Sequence, residues 1–240
     1  MKPLYCPSGK AKEYGDWAVN IYTGCPHHCF YCYAPNVRHL TREKFHTDVQ
    51  ARPNIAAELK KQIEREGVRD QLIHLCFTCD PYPTGYDTTA TREVIQVIKE
   101  TGNHVQILTK GDGSRDFDLL DGGDWYGITV TGAGYTGKAD EEPGTGLTAN
   151  RFDKLIQAKK LGIKTWISFE PVLDRSAVLF YINWAAEVGI DKVKIGKLNY
   201  HPSTIDWPAF GREAEALCQK LGLDYYIKES LRADMERGRE

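Results

Sequence analysis

Three cysteines fall within eight residues: Cys25, Cys29 and Cys32, in the segment Thr23-Gly24-Cys25-Pro26-His27-His28-Cys29-Phe30-Tyr31-Cys32-Tyr33-Ala34. Disulfides spread cysteines out to close loops, whereas metal and cluster sites bunch them. Three thiolates on one short loop can hold three irons of a four-iron, four-sulfur cube and leave the fourth without a protein ligand. Electron-transfer clusters instead take four cysteines. An open iron has a use when another molecule must bind it. The same cysteines with His27 or His28 also compose a four-ligand zinc set, although C-x-x-x-C-x-x-C is an uncommon zinc spacing. Cys76 and Cys79 form a separate C-x-x-C pair, and Cys6 and Cys218 stand alone. A second cluster from these four is a weaker reading, since Cys218 sits on an amphipathic stretch that suits a buried thiol.

These residues need a frame. Gly67, Gly102, Gly162, Gly189 and Gly222 each follow a helix-like stretch and precede an apolar, strand-like one. Glycine supplies the left-handed conformation that ends a helix. Ile55, Leu59 and Ile63 repeat every four residues; Val94, Val97 and Ile98 line one face of 91–101. Phe152, Leu155 and Ile156 follow Thr148, a cap type, and Val178, Ile182 and Ala186 follow Ser176, another. Phe210, Ala214 and Leu217 follow Pro208, which suits a first helical turn. Strands are expected at Trp17–Tyr22, Leu72–Phe77, His104–Thr109, Trp125–Val130, Lys164–Phe169 and Lys192–Ile195, with a last one at Asp224–Ile227. Strand, helix, glycine, strand is the grammar of a parallel α/β protein. About six units in 240 residues are too few for an eight-fold barrel, so a partial, unclosed TIM-like barrel is the expected fold. The expected organisation is one core domain with a short N-terminal extension (1–16) and a C-terminal helical tail (about 205–240).

The unusual residues then fall just after the strands, on one face of the sheet: the cysteine loop, Thr78-Cys79-Asp80-Pro81-Tyr82-Pro83, Lys110-Gly111-Asp112-Gly113, a glycine-rich loop over 132–147, Glu170-Pro171, and Lys197-Leu198-Asn199-Tyr200. That face is where parallel α/β proteins build their sites.

The cysteine loop, with Tyr31 before its last cysteine, is identified as that of the radical SAM superfamily. The resemblance implies that Cys25, Cys29 and Cys32 hold a [4Fe-4S] cluster whose fourth iron chelates S-adenosylmethionine (SAM). The reduced cluster would cleave SAM to a 5′-deoxyadenosyl radical that takes a hydrogen atom from the substrate. A six-unit partial barrel is that superfamily's usual architecture. From Asn20 to Tyr200 the chain further resembles the spore photoproduct lyase-related branch, also labelled DNA-repair photolyases. The resemblance is carried by Thr78-Cys79-Asp80-Pro81-Tyr82, Ile107-Leu108-Thr109-Lys110-Gly111, Ile128-Thr129-Val130-Thr131, Phe169-Glu170-Pro171-Val172 and Lys194–Tyr200.

Carried over by position, the match puts Tyr31, Cys79, Asp80, Lys110, Thr129, Glu170 and Asn199 in a cofactor pocket. Cys79 and Asp80 would lie near the SAM amino group or ribose. Lys110 would pair with the SAM carboxylate, with Thr129 beside it, and Glu170 would contact SAM or substrate. The lyase returns a hydrogen atom from a cysteine that falls nearer Phe77, so here Cys79 takes the candidate role, with Tyr82 or Tyr86 as relay. Strand alternation sends Cys76 to the side opposite Cys79 if the strand continues.

Each assignment has a plainer counterpart: a solvated lysine at 110, a packing threonine at 129, a helix-capping glutamate at 170. For the 132–147 loop a lid and a flexible connector are both open. Arg38, His39, Arg42, Lys44 and His46 either meet an anion or form a solvated helix face.

Three functions are compatible with the sequence: a radical SAM enzyme acting on a nucleobase or nucleic acid, the same chemistry on a peptide or small metabolite, and a non-catalytic iron–sulfur or zinc protein. An enzyme of this kind implies an electron donor such as flavodoxin or ferredoxin. The formal charge of −2 argues against a broad basic nucleic-acid surface. No run of about 18 apolar residues is present, and the N-terminus lacks an apolar export segment, so a reduced, cytoplasmic protein is expected.

Overall fold

The structure is a computed structural model and describes residues 2–133, 142–145 and 147–237. One eight-stranded sheet runs in sequence order: β1 (Leu4–Tyr5), β2 (Trp17–Val19), β3 (Leu72–Leu75), β4 (His104–Thr109), β5 (Trp125–Thr129), β6 (Lys164–Phe169), β7 (Lys192–Ile195) and β8 (Tyr225–Ile227). β1 pairs with β2 antiparallel, and every later pair is parallel. No register joins β8 to β1, so the barrel is partial and unclosed, as the sequence predicts. The helices are α1 (Ala34–Val37), α2 (Arg42–Thr47), α3 (Ile55–Glu66), α4 (Thr89–Glu100), α5 (Thr148–Lys160), α6 (Arg175–Glu187), α7 (Trp207–Leu221) and α8 (Glu229–Arg237). A 3₁₀ turn, Ser114–Leu119, replaces a helix between β4 and β5.

Alternation along the strands sorts the side chains. Ile73, Leu75, Val105, Ile107, Ile167, Val193 and Ile195 are fully buried under Leu59, Ile63, Val94, Ile98, Leu155, Val178 and Phe210 of the helices. Each such aliphatic side chain contributes about 1.5–3 kcal/mol relative to exposure. The concave face is largely polar: His74 bonds Gln106 at 2.9 Å, Ser168 is fully buried, and Lys194 follows in register on β7. Trp166 lies across Gly127, where an added Cβ would stand 2.2 Å from the indole nitrogen.

All five punctuating glycines adopt φ between +66° and +80°, as their place after helices demands. The expected caps shift by a few residues. α5 starts at Thr148 rather than being capped by it, and the side-chain cap of α6 is Asp174, not Ser176. α7 is capped by Asp206, with Pro208 in its first turn. Three strands end early: β2 stops at Val19, β5 one residue short at Thr129, and β3 at Leu75, where the next residue, Cys76, takes φ +69°. The Asn20 side chain then substitutes for the ladder, its Oδ1 accepting from Phe77 N at 2.8 Å and Thr78 N at 3.0 Å.

The N-terminal extension is integral to the barrel. After β1, a 3₁₀ segment, Gly9–Tyr14, lies against the concave face and reaches the last strand. Glu13 accepts from Tyr226 Oη and Glu229 N and faces Lys228 at 3.3 Å. The segment expected as a helical tail likewise contains β8, the seventh parallel strand.

Candidate cofactor site

The cysteine loop leaves β2 and is clamped from outside by α2. Arg42 donates to Cys29 O at 2.7 Å and Cys32 O at 3.2 Å, His46 Nδ1 lies 2.7 Å from Cys25 O, and Cys25 N donates to Phe45 O at 3.2 Å. Gly24 permits this approach, since a Cβ there would stand 2.3 Å from Phe45 O. Arg42 and His46 of the basic stretch therefore brace the cysteine loop. Cys29 is an electrostatic neighbour of both Cys25 and Cys32, and burial pushes all three thiols up.

From β3, Asp80 organises the inner side. Its Oδ1 accepts from Tyr82 N (2.8 Å) and Thr109 Oγ1 (2.5 Å). Its Oδ2 accepts from Lys110 N (2.9 Å) and stands 3.5 Å from His27 Nδ1. Thr84 N donates to His27 Nε2 at 3.3 Å, which leaves the His27 proton on Nδ1, toward Asp80. Burial lowers the His27 imidazole against the pull of Asp80. Three of the roughly four acceptor positions of this carboxylate take hydrogen bonds, and His27 faces it at salt-bridge distance. Asp80 thus ties the ends of β3 and β4 to the cysteine loop.

Lys110 projects beyond β4, its Nζ 5.4 Å from the Tyr31 ring centroid and 3.7 Å from Glu142 Oε1. Burial acts to lower the Lys110 ammonium, but Cys29 and Glu142 outweigh it and hold it above its ordinary value. Thr129 ends β5 one position past the Thr109–Ile128 register pair, beside Lys110. Cys79 Sγ accepts from Tyr22 N at 3.4 Å and is an electrostatic neighbour of Cys25. Because β3 has ended, Cys76 and Cys79 do not diverge: their thiols are electrostatic neighbours, and burial, then Cys79, pushes the Cys76 thiol up.

Residues 19–192 match the model of the radical SAM superfamily. The chain belongs to the radical SAM superfamily, a superfamily of enzymes.

An uncharacterized protein of Mycobacterium tuberculosis is 33% identical over 100 residues, 40% of this chain and 29% of that protein, so the chain spans under a third of its length. The uncharacterized protein ORF301 of Acidianus two-tailed virus is 27% identical over 208 residues, 77% of this chain and 68% of that protein. Among solved structures, spore photoproduct lyase complexed with dinucleoside spore photoproduct superposes with a TM-score of 0.69 at 15% identity, covering 93% of this chain and 79% of that one. Streptococcus suis SuiB bound to S-adenosylmethionine gives a TM-score of 0.63 at 10% identity, covering 88% and 46%. At these identities the shared property is the fold.

A radical SAM protein implies SAM and an iron–sulfur cluster, and the cysteine loop fits the latter. A tetrahedral zinc site needs a fourth ligand beside the three cysteines. His27 is held by Asp80 and Thr84, and His28 stacks on His46 with ring centroids 4.4 Å apart. With both loop histidines engaged elsewhere, the loop suits three corners of a cluster better than one tetrahedral ion.

The other expected site residues divide. Glu170 lies across the barrel, accepting from Tyr14 Oη at 2.5 Å and facing Lys228 at 3.4 Å. Asn199 Oδ1 accepts from Lys10 at 2.5 Å, on the side of the 3₁₀ segment. The structure puts Tyr82 in a buried cluster, its hydroxyl on Asp116 Oδ2 at 3.1 Å. Cys6 is exposed and Cys218 is buried in α7. Of the 132–147 loop, residues 134–141 and 146 lie outside the described residues. Tyr14, Glu142 and Arg151 are the residues that reading the sequence overlooks. Tyr14 precedes the first parallel strand, Glu142 sits well along the glycine-rich loop rather than at a strand end, and Arg151 lies inside a helix.

Proposed function

We propose that this chain is a radical SAM enzyme that binds a [4Fe-4S] cluster through Cys25, Cys29 and Cys32 and acts on a nucleobase or nucleic acid. The observation that carries the reading is the cysteine loop: three thiols on one short loop whose backbone carbonyls are braced by Arg42 and His46, with Lys110 an electrostatic neighbour of Cys29. The cluster with SAM supplies, when bound, one-electron cleavage to a 5′-deoxyadenosyl radical. Lys110 offers three N–H donors to the methionine carboxylate. Tyr31 packs beside it, and Thr129 lines the same edge. Asp80 positions Lys110 and the cysteine loop rather than touching SAM. Glu170, with Tyr14 and Lys228, forms the wall across the barrel where a substrate would meet the radical. Cys79, next to the cysteine loop, is the hydrogen donor to the product. Tyr82, whose hydroxyl is engaged by Asp116, contributes packing.

The nucleic-acid assignment draws on the sequence resemblance and on the likeness to spore photoproduct lyase. A second reading, the same chemistry on a peptide, is favoured by the formal charge of −2 and by the likeness to SuiB, a structure of which is bound to the precursor peptide SuiA. A flavodoxin- or ferredoxin-class protein would supply the electron. Deuterated oligonucleotide and peptide candidates, incubated anaerobically with SAM and reductant, separate the two. Label appearing in 5′-deoxyadenosine from an oligonucleotide, together with binding that weakens steeply with salt, supports the first reading. Label from peptide alone replaces it with the second.

A further inference from the structure

Glu142 lies in a stretch that reads as a glycine-rich connector, yet its carboxylate is among the most enclosed in the described residues, with 5% of the side chain exposed. Tyr31 Oη donates to it, Lys110 Nζ stands 3.7 Å from Oε1, and Arg151 stands 3.6 Å from Oε2. Arg151, itself buried, also donates to Thr129 O at 2.9 Å and Thr145 Oγ1 at 2.6 Å. Gly144 N donates to His27 O at 3.1 Å, and a Cβ at Gly144 would stand 2.2 Å from Pro26 O. Residues 142–145 are therefore seated directly on the cysteine loop between Cys25 and Cys29.

A carboxylate is costly to bury unless it is paired. Here the pairing joins the aromatic residue of the cysteine loop, the lysine after β4 and the arginine of α5 through one side chain. We propose that Glu142 is a positioning residue for the cofactor, holding the Lys110 ammonium over Tyr31 at the edge of the cysteine loop, with Arg151 and Thr145 holding Glu142. This rests on the reading of Lys110 as the partner of the SAM carboxylate. A lysine stem has rotamer entropy to lose, and fixing it before the ligand arrives removes that cost from binding. At 3.7 Å the Lys110–Glu142 contact is coulombic rather than a hydrogen bond. The N–H donors of Lys110 are thus left to the incoming carboxylate.

The test is a double-mutant cycle on reconstituted holoprotein, reading SAM affinity by equilibrium binding and iron and sulfide content by analysis. Glu142→Gln should weaken SAM binding roughly tenfold, within the range of coupling between contacting residues, at unchanged iron and sulfide. In a Lys110→Met background it should weaken binding no further. Tyr31→Phe, which removes only the hydroxyl, should give a smaller loss of the same kind and serves if Glu142→Gln fails to fold. Wild-type affinity in Glu142→Gln, or effects of Glu142→Gln and Lys110→Met that simply add, would overturn the positioning role while the Lys110 reading stands. Wild-type affinity in Lys110→Met would instead remove the Lys110 reading, and this role with it.

Discussion

At the scale of single residues, the site depends on side chains whose partners are all protein. Four groups from three segments converge on Asp80. Asp80→Asn sets an amide N–H against donors that now share the carboxylate. The expected cost is about 1–3 kcal/mol, with lower iron content after reconstitution because His27 and the cysteine loop lose their tether. Thermal unfolding of the apoprotein and iron analysis of the holoprotein check the two effects. His74 is a second case. Burial pushes its imidazole down to about 3, against the bond it donates to Gln106 Oε1. Its unfolded value is near 6.5, so between about 3 and 6.5 the unfolded chain binds the additional proton. The contribution is complete above pH 6.5 and is lost as pH falls toward 3, by about 1.4 kcal/mol per pH unit. Urea titrations at pH 7 and pH 5 should show this loss in the wild type and a flatter dependence in His74→Gln.

At the scale of elements, the strand–helix periodicity was legible because burial enforces it. Ile73, Leu75, Val105 and Ile107 alternate with His74 and Gln106, and only one face of that alternation meets the helices. The polar residues after the strands were legible for the same reason, since a parallel sheet delivers them to one face. Their partners were not. Cys76 and Cys79 were expected on opposite sides of a strand that Cys76 itself terminates through a left-handed backbone. Glu142 carries no periodic signal and is identified only by where its segment docks. Close approaches are equally silent in sequence: Gly127 looks like any strand glycine until Trp166 is found lying across it. Gly127→Ala should therefore destabilise by about 1–3 kcal/mol through overpacking, read as a lower midpoint in thermal unfolding with the cysteine loop's iron content retained.

At the scale of the whole molecule, the two ends of the chain meet where the sheet fails to close. Gly9–Tyr14 brings Glu13 to Lys228, Tyr226 and Glu229 N, while Lys10 O accepts from Lys228 at 2.9 Å. Tyr14 enters the concave face between the Lys194 and Lys228 ammoniums, 4.5 Å and 4.1 Å from its ring centroid. Nothing in the sequence before Trp17 announces this, because a 3₁₀ turn has no long periodicity and its partners on β6, β7 and β8 lie more than 150 residues away. Glu13→Gln would leave the fully buried Lys228 with Glu170 as its remaining carboxylate. The expected loss is up to ~3 kcal/mol, below the cost of stripping a buried ion of every partner, measurable by urea denaturation. Among the described residues no helix is long and apolar enough to cross a membrane. The formal charge of −2 argues against a broad basic surface.

The central claim is that Cys25, Cys29 and Cys32 hold a cluster that cleaves SAM. Anaerobic reconstitution with iron and sulfide, reduction with dithionite and addition of SAM, followed by chromatography for 5′-deoxyadenosine, tests it most directly. The wild type should turn brown and release 5′-deoxyadenosine, and Cys29→Ala should do neither. A protein that stays colourless, or a fully loaded one that leaves SAM intact, would contradict the account.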